Sequence, residues 1–300
     1  MKTPPQQQLQ HIPVLLEQVL SLLAPRPEET YLDLTAGRGG HARAIIGKIG
    51  SASNATLVDR DDDAIADLQP LQQAGAHLIK SDFASVVRTL ANQQKQFSII
   101  LLDLGVSSPQ LDNAERGFSF RNSGPLDMRM DQSQTVTAAE IVNTWSEDRL
   151  AETIREYGEE PRARAIARAI SESRPLSTTA ELAAVVARIH RGKWGKIHPA
   201  TRTFQAIRIA LNDELEQLSQ TLHLLPKILV PEGRVAIISF HSLEDRLVKQ
   251  FFKEQAEAGY EAELRILTKK PISGATDDVH NPRARSAKLR AAVKIKTESE

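Results

Sequence analysis

Between residues 30 and 105 the chain alternates short apolar runs with stretches whose apolar positions recur at helical spacing. TYLDLTA (30–36), ATLVDRD (55–61), HLIKSDF (77–83) and FSIILLDLG (97–105) read as buried strands. HARAIIGKI and DDAIADLQPLQQAG, lying between them, read as helices. Such alternation implies right-handed crossovers and a parallel sheet covered on both faces. Upstream, HIPVLLEQVLSLLAP is interrupted by Glu17 and Gln18 and lacks a basic leader, which predicts an amphipathic helix and no membrane span. MKTPPQQQLQ (1–10) is polar and proline-containing and predicts a disordered tail.

From residue 112 to about 200 the alternation stops. A polar loop, NAERGFSFRNSGPLDMRMD, precedes four short helical patterns: TAAEIVNTW, SEDRLAETIREYG, PRARAIARAISESR and TTAELAAVVARIHRG. TFQAIRIALNDELEQLSQTLHLLPKIL then resumes a long-helix pattern, and GRVAIISF (233–240) reads as a strand. ELRILTK (263–269) and AAVKIKTE (291–298) have no helix-length apolar pattern between them, so they read as an antiparallel, hairpin-like pair. The expected organisation is a discontinuous α/β domain, 11–111 with 201–300, interrupted by a helical insertion at 112–200. A dinucleotide-binding domain has six parallel strands. Five alternating strands closed by an antiparallel pair have instead the layout of the seven-stranded methyltransferase fold.

Composition narrows the chemistry. Apolar residues make up 41% of the 300, enough for a real core. No cysteine is present, which excludes disulfides, thiolate metal sites and a cysteine nucleophile and fits a cytoplasmic protein; no metal is expected. Net charge is zero, yet Arg188–Arg208 and Asn281–Lys296 each hold six Lys or Arg and no acid. Runs of this kind are either solvated faces or the footprint of a polyanion.

The candidate ligand site begins at DLTAGRGGHARAI (33–45). Gly37, Gly39 and Gly40 suit a tight strand-to-helix turn whose amides face an anionic group. Gly37-x-Gly39-x-x-Ala42 also satisfies the dinucleotide fingerprint, so the turn leaves the ligand open. Asp59 follows the apolar TLV at the end of the second strand, where a carboxylate can accept both ribose hydroxyls; a surface acid is the alternative. At the third strand tip, Asp82 suits an adenine amino group and Phe83 an apolar wall, or else Phe83 is core. Asp103 closes the fourth strand and should emerge at the sheet's carboxyl edge, unless it is a buried structural acid. Many amino-methylating enzymes carry an acid or amide, two prolines and an aromatic residue at this point; here only Ser108-Pro109-Gln110 is present.

HIPVLL, AGRGGH, LLDLGVSSPQLDNAERGFSF, GPLDMRMD, YGEE, HPATRTFQAIRI, ISFHSLEDR and NPRARSAKLR together resemble the RsmH (MraW) family, and they run from residue 11 to about 290. Members are bacterial methyltransferases acting on a cytosine N4 of small-subunit ribosomal RNA. The resemblance implies an α/β, seven-stranded Rossmann-like class I SAM-dependent methyltransferase fold with an inserted all-helical substrate-recognition domain. It implies S-adenosyl-L-methionine as cofactor and 16S rRNA near the decoding centre, within the small ribosomal subunit, as partner. It leaves a homodimer open. The family's donor contacts fall on Gly39, Gly40, His41, Asp59, Phe83, Asp103 and Gln110.

Methyl transfer to an amine needs positioning, because the exocyclic nitrogen donates its lone pair into the ring. Asp103 is a candidate proton acceptor, but holding the methionine end of the donor competes with that role, and the catalytic base stays unassigned. Cytosine must be unstacked or already in a single-stranded loop to react, and Arg116, Phe118 and Phe120 could clamp it, unless the phenylalanines simply pin the polar loop. Arg129, Arg202, Arg283 and Arg285 suit phosphate contacts, with salt bridges to Asp127 or Asp131 as the alternative. His241 either contacts RNA or caps SLEDR. Three rival readings remain: an NAD-linked dehydrogenase, a methyltransferase for small molecules or proteins, and a non-catalytic RNA-binding protein.

Overall fold

The computed structural model describes residues 12–190 and 198–295. The tail expected at 1–10 lies outside the described residues, as do parts of both basic runs and the end of AAVKIKTE. In chain order the elements are α1 (Leu16–Leu23), β1 (Tyr31–Asp33), α2 (Gly40–Ile49), β2 (Ala55–Asp59), α3 (Asp62–Gln73), β3 (His77–Lys80), α4 (Phe83–Asn92) and β4 (Phe97–Asp103). Helices α5 (Ser108–Asp112), α6 (Ala138–Thr144), α7 (Glu147–Gly158), α8 (Ala163–Glu172), α9 (Thr179–Ile189), α10 (Ala200–Asn212) and α11 (Glu214–Leu224) follow. The chain then returns as β5 (Leu229–Ser239), α12 (Ser242–Glu257), β6 (Leu264–Ile266), β7 (Ile272–Ser273), α13 (Gly274–Asp277) and β8 (Lys288–Lys294). Two compact units result: Met1–Leu104 with Gln220–Glu300, and Gly105–Ser219.

All the strands belong to the first unit. Their order is β3-β2-β1-β4-β5-β8-β6, with β7 also on β8. Strands β1 to β5 pair in parallel, and β8 runs antiparallel to β5 and β6. β1 is buried throughout and β4 nearly so, as expected where helices cover both faces. Val19 and Leu23 of α1, Ile45 and Ile49 of α2 and Leu68 of α3 supply one layer of that cover. Strand order reverses between β1 and β4, so the carboxyl tips of β1, β2 and β4 border the crevice where such sheets bind ligands.

Two features of the sheet depart from the sequence pattern. It has an eighth strand, β7, because two residues are too few to show an alternation. β5 starts at Leu229, before the expected 233, through a register shift opposite Phe97 and Ile99. There Glu232 takes φ 62°, and a Cβ on Gly233 would lie 2.7 Å from the Val230 carbonyl. Arg234, just past this bulge, donates to the Leu23 carbonyl at the C-terminal end of α1 and grips both oxygens of Glu29 at 2.6 and 2.8 Å.

The second unit is helical, and it is larger than 112–200. Ala200, Phe204, Ala206 and Ile207 of α10 share its core with Leu150 and Ile154 of α7 and Ile166 and Ile170 of α8. These apolar positions make α10 part of the helical unit, whereas the sequence pattern assigned residues beyond 200 to the sheet domain. A Cβ on Gly158 would lie 2.7 Å from the Arg202 carbonyl, so only glycine permits the close crossing of α7 and α10. The polar loop threads this core: Phe118, Leu126, Met128 and Met130 are buried. Asn212 pins it by accepting from the Met130 amide and donating to the Met128 carbonyl, both at 2.9 Å. The long helix expected from residue 203 onward is two helices, because Asp213 adopts a left-handed φ of 53° between them.

Candidate active site

In the first unit Gly39, Gly40, His41, Asp59 and Asp103 lie at the tips of β1, β2 and β4, whereas Phe83 opens α4 after β3. The turn after β1 carries Gly37 at φ 52° and Gly39 at φ 75°. Gly40 needs no left-handed backbone; a Cβ there would meet the Pro13 ring at 2.6 Å. One on Gly39 would press on Leu68 at 2.9 Å. These two glycines therefore let α2 seat against α3 and against the segment ahead of α1, while a Cβ on Gly37 would meet nothing closer than the Thr35 carbonyl at 4.0 Å. Asp59 reaches back to this turn: its Oδ2 accepts from the Gly37 amide at 2.8 Å and its Oδ1 from the Asp61 amide at 2.9 Å. Burial still raises the Asp59 carboxyl above its ordinary value, against those two bonds.

Asp103 and His41 meet at the tip of β4. His41 is buried, its Nε2 lies 3.0 Å from the Val14 carbonyl, and its Nδ1 lies 3.6 Å from Asp103 Oδ2. The Asp103 amide donates to Thr35 Oγ1 at 2.5 Å, fixing the strand tip to the glycine turn. Its carboxyl Oδ1 is sealed from solvent with no hydrogen-bond partner. Burial, with Asp33 and Glu244 nearby, pushes the Asp103 carboxyl up to about 8.

Asp33 was not singled out in the sequence, although it closes β1 one turn before the glycines. Its Oδ2 accepts from the Tyr31 hydroxyl at 2.6 Å and its Oδ1 from the Thr35 amide at 3.2 Å. Burial nonetheless pushes it up to about 7, with Asp59 adding repulsion. A carboxylate directly after a buried strand and before Gly-x-Gly-Gly was the available signal.

Remaining candidates take less direct roles. Phe83 is buried in the first turn of α4. Asp82, considered for an adenine amino group, caps that helix through the Ser85 amide at 2.8 Å. His241 is the N-cap of α12, its Nδ1 accepting from the Glu244 amide at 3.4 Å. Glu244 completes the capping box, accepting from the Phe240 and His241 amides. Of the two roles open for His241, the geometry displays the cap. Arg285 is exposed and Arg283 half-buried beyond α13.

In the second unit, Gln110 is buried and accepts from the Ser107 amide at 2.9 Å. Arg116 is 4% exposed and donates to the Arg129 and Met130 carbonyls, with its guanidinium beside the Phe118 ring. Arg129 holds both oxygens of Asp127 at 2.8 and 2.7 Å and also donates to the Gln132 and Gln134 carbonyls. Both arginines organise the loop through these internal acceptors, Arg129 forming the salt bridge to Asp127 that was the alternative to a phosphate contact. Phe118 likewise pins the loop, and Phe120 packs on Phe204 and His198. Arg202 stays 52% exposed, donating to the Glu159 carbonyl.

The first unit fits a cationic cofactor. S-adenosylmethionine carries a sulfonium and an ammonium, and the strand tips offer clustered carboxyls held above their ordinary range, with the sealed Oδ1 of Asp103 unmatched. A cation placed there relieves both the repulsion and the missing partner. Gly39, Gly40, His41, Asp59, Phe83 and Asp103 would hold it. No helix among the described residues is long and apolar enough to cross a membrane.

Residues 8–295 match the MraW methylase family. The chain is 49% identical over 292 residues to Ribosomal RNA small subunit methyltransferase H of Synechocystis sp., covering 95% of this chain and 93% of that one. Identity to the protein of the same name from Cyanothece sp. is 50% over 289 residues, with 95% of each chain covered. For Methylobacillus flagellatus it is 45% over 311 residues, with 96% of each covered. With its parallel sheet, acid-tipped crevice and match along nearly its full length, this chain is an S-adenosylmethionine-dependent methyltransferase and belongs to the MraW methylase family.

Proposed function

We propose that the chain methylates the N4 amine of a specific cytidine in 16S rRNA near the decoding centre, acting on the small ribosomal subunit in the cytoplasm. The observation that carries this reading is the family match along residues 8–295, with relatives named for the small-subunit RNA. S-adenosylmethionine supplies a methyl already activated on sulfonium, so the reaction is an in-line displacement by the exocyclic nitrogen. On this reading Asp59, which accepts from the Gly37 and Asp61 amides, also accepts from a ribose, and Asp103, charged, balances the methionine end. His41 and Gln110 complete the donor contacts that the family pattern assigns.

A cytosine amine is a poor nucleophile, so the protein's contribution is orientation, worth roughly 7–11 kcal/mol for well-aligned groups. The amine must also lose a proton. Asp103 binds the donor's charge as a carboxylate, which occupies it during transfer, and no base is assigned. The helical second unit is read as recognising the RNA, with Arg202 and, in the first unit, Arg285 exposed enough to meet phosphate.

Mass mapping of small-subunit rRNA from cells with and without this protein tests the reading. One cytidine should lose a methyl group on its base in the deletion and regain it on complementation. Unchanged maps, or labelled methyl appearing only on protein or small molecules, overturn it.

A further inference from the structure

The segment ahead of α1 is anchored by residues from the far end of the chain. The Leu15 amide donates to Asp278 Oδ2 at 2.9 Å. Gln18 Nε2 donates to the Asp277 carbonyl at 2.8 Å, and Asn281 Nδ2 to the Ile12 carbonyl at 3.2 Å. Leu15 is fully buried and takes φ 55°, a left-handed conformation rarely adopted by a leucine. This backbone is held in place from outside itself.

The amide of Leu15 and the carbonyl of Val14 are the two ends of one planar peptide group. At one end Asp278 accepts from N–H; at the other, His41 Nε2 sits 3.0 Å from the oxygen. A carbonyl only accepts, so Nε2 must carry the proton there. An acceptor on the N–H side polarises the peptide and strengthens the oxygen as an acceptor. With Nε2 so committed, Nδ1 is the nitrogen presented to Asp103, 3.6 Å from Oδ2.

We propose that Asp278 is a positioning residue for His41, acting through the single Val14–Leu15 peptide group, and so sets the tautomer of the ring whose Nδ1 faces Asp103. The relay runs Asp278, peptide, His41, Asp103, all within the first unit. Its sequence signature joins HIPVLL, GRGGH and the stretch just before NPRARSAKLR. Its value to methyl transfer rests on the reading of His41 as a donor contact. The tautomer itself does not.

The test uses the full chain with 15N-labelled histidine and reads the His41 ring nitrogens by long-range proton–nitrogen correlation, alongside donor affinity by calorimetry. Wild type should show Nε2 protonated. Asp278→Ala should shift the His41 signals toward a tautomer average and weaken donor binding by a few-fold, less than the roughly tenfold of a charge-assisted bond made to the donor itself, because the loss reaches the donor only through His41. Asp278→Asn, which keeps an oxygen for the Leu15 amide, should restore the wild-type nitrogen pattern and most of the affinity. His41 signals indifferent to Asp278→Ala overturn the relay. So does a wild-type ring with its only proton on Nδ1, whatever the variants do. If S-adenosylmethionine fails to bind wild type while the His41 signals still follow Asp278, the relay stands and the donor reading falls.

Discussion

Asp103 shows how much a single residue's meaning depends on what surrounds it. In sequence it is an acid after an apolar run; in the structure it has a sealed, unpartnered oxygen and a carboxyl pushed up to about 8. Donor-free, it is protonated at neutral pH. Binding a cation favours the carboxylate, so donor binding should release a proton below that value, and affinity should climb as pH rises. Between about pH 5.5 and 7, calorimetry should show Kd falling by up to about tenfold per unit, with proton release seen by comparing buffers of different ionisation enthalpy. Asp103→Asn should flatten that slope and weaken binding at least about tenfold. A variant retaining both affinity and slope removes Asp103 from the donor site. Arg116 and Arg129 teach the opposite lesson. Their charge suggested a nucleotide clamp for Arg116 and a phosphate contact for Arg129, but the carbonyls and the carboxylate they hold come from neighbours whose arrangement no spacing rule conveys.

At the scale of elements, α2 contains an internal contrast. Gly40 opens it against the Pro13 ring, whereas Gly47, exposed in its interior, has nothing within 4 Å of a Cβ position. Gly47→Ala should therefore stabilise the protein by ~0.5–1 kcal/mol, the ordinary helix-interior preference. Gly40→Ala should destabilise it by ~1–3 kcal/mol through overpacking and weaken donor binding, because Pro13 adjoins the carbonyl that holds His41. Urea unfolding of both variants checks the opposite signs; equal effects would mean that the Pro13 contact gives way freely. Helices with their own caps and breakers, such as α7 with Ser146 at its N-cap, were legible from the sequence. The break at Asp213 was not, since an aspartate in a left-handed conformation looks like any other within a helical period.

Taken as a whole, the molecule gives up stability to hold its acids together. Asp33 and Asp103 sit at about 7 and about 8 when folded, against ordinary values of 3.8. Over the intervening range the folded state binds more protons than the unfolded chain, so stability should fall as pH rises. His198, whose burial lowers its value, is neutral in both states toward the upper part of that range and does not mask the trend. Thermal unfolding without donor should drop by at least about 2 °C from pH 6.5 to 8.5, the shift expected of ~1 kcal/mol in a domain of this size. Saturating S-adenosylmethionine should shrink the drop. A donor-free midpoint that rises across this window contradicts the acid cluster.

Periodicity alone located the strands β1 to β5, the helices α2 and α3 and the antiparallel close of the sheet, because burial on two faces or one stripe leaves a local imprint; α4, whose first residue Phe83 was counted with the preceding strand, was not read. The glycine turn, Asp59 and Asp103 were equally plain, since each follows directly on an apolar run. Only the tertiary structure decided that α10 packs with the helical unit, that Gly39 and Gly40 serve packing, and that Asp33 joins Asp103. It alone brought Asp278 to the Leu15 amide, 263 residues away in the chain. Those outcomes depend on which surfaces meet across long separations, and chain order carries no record of such meetings until the sheet and its helices have closed.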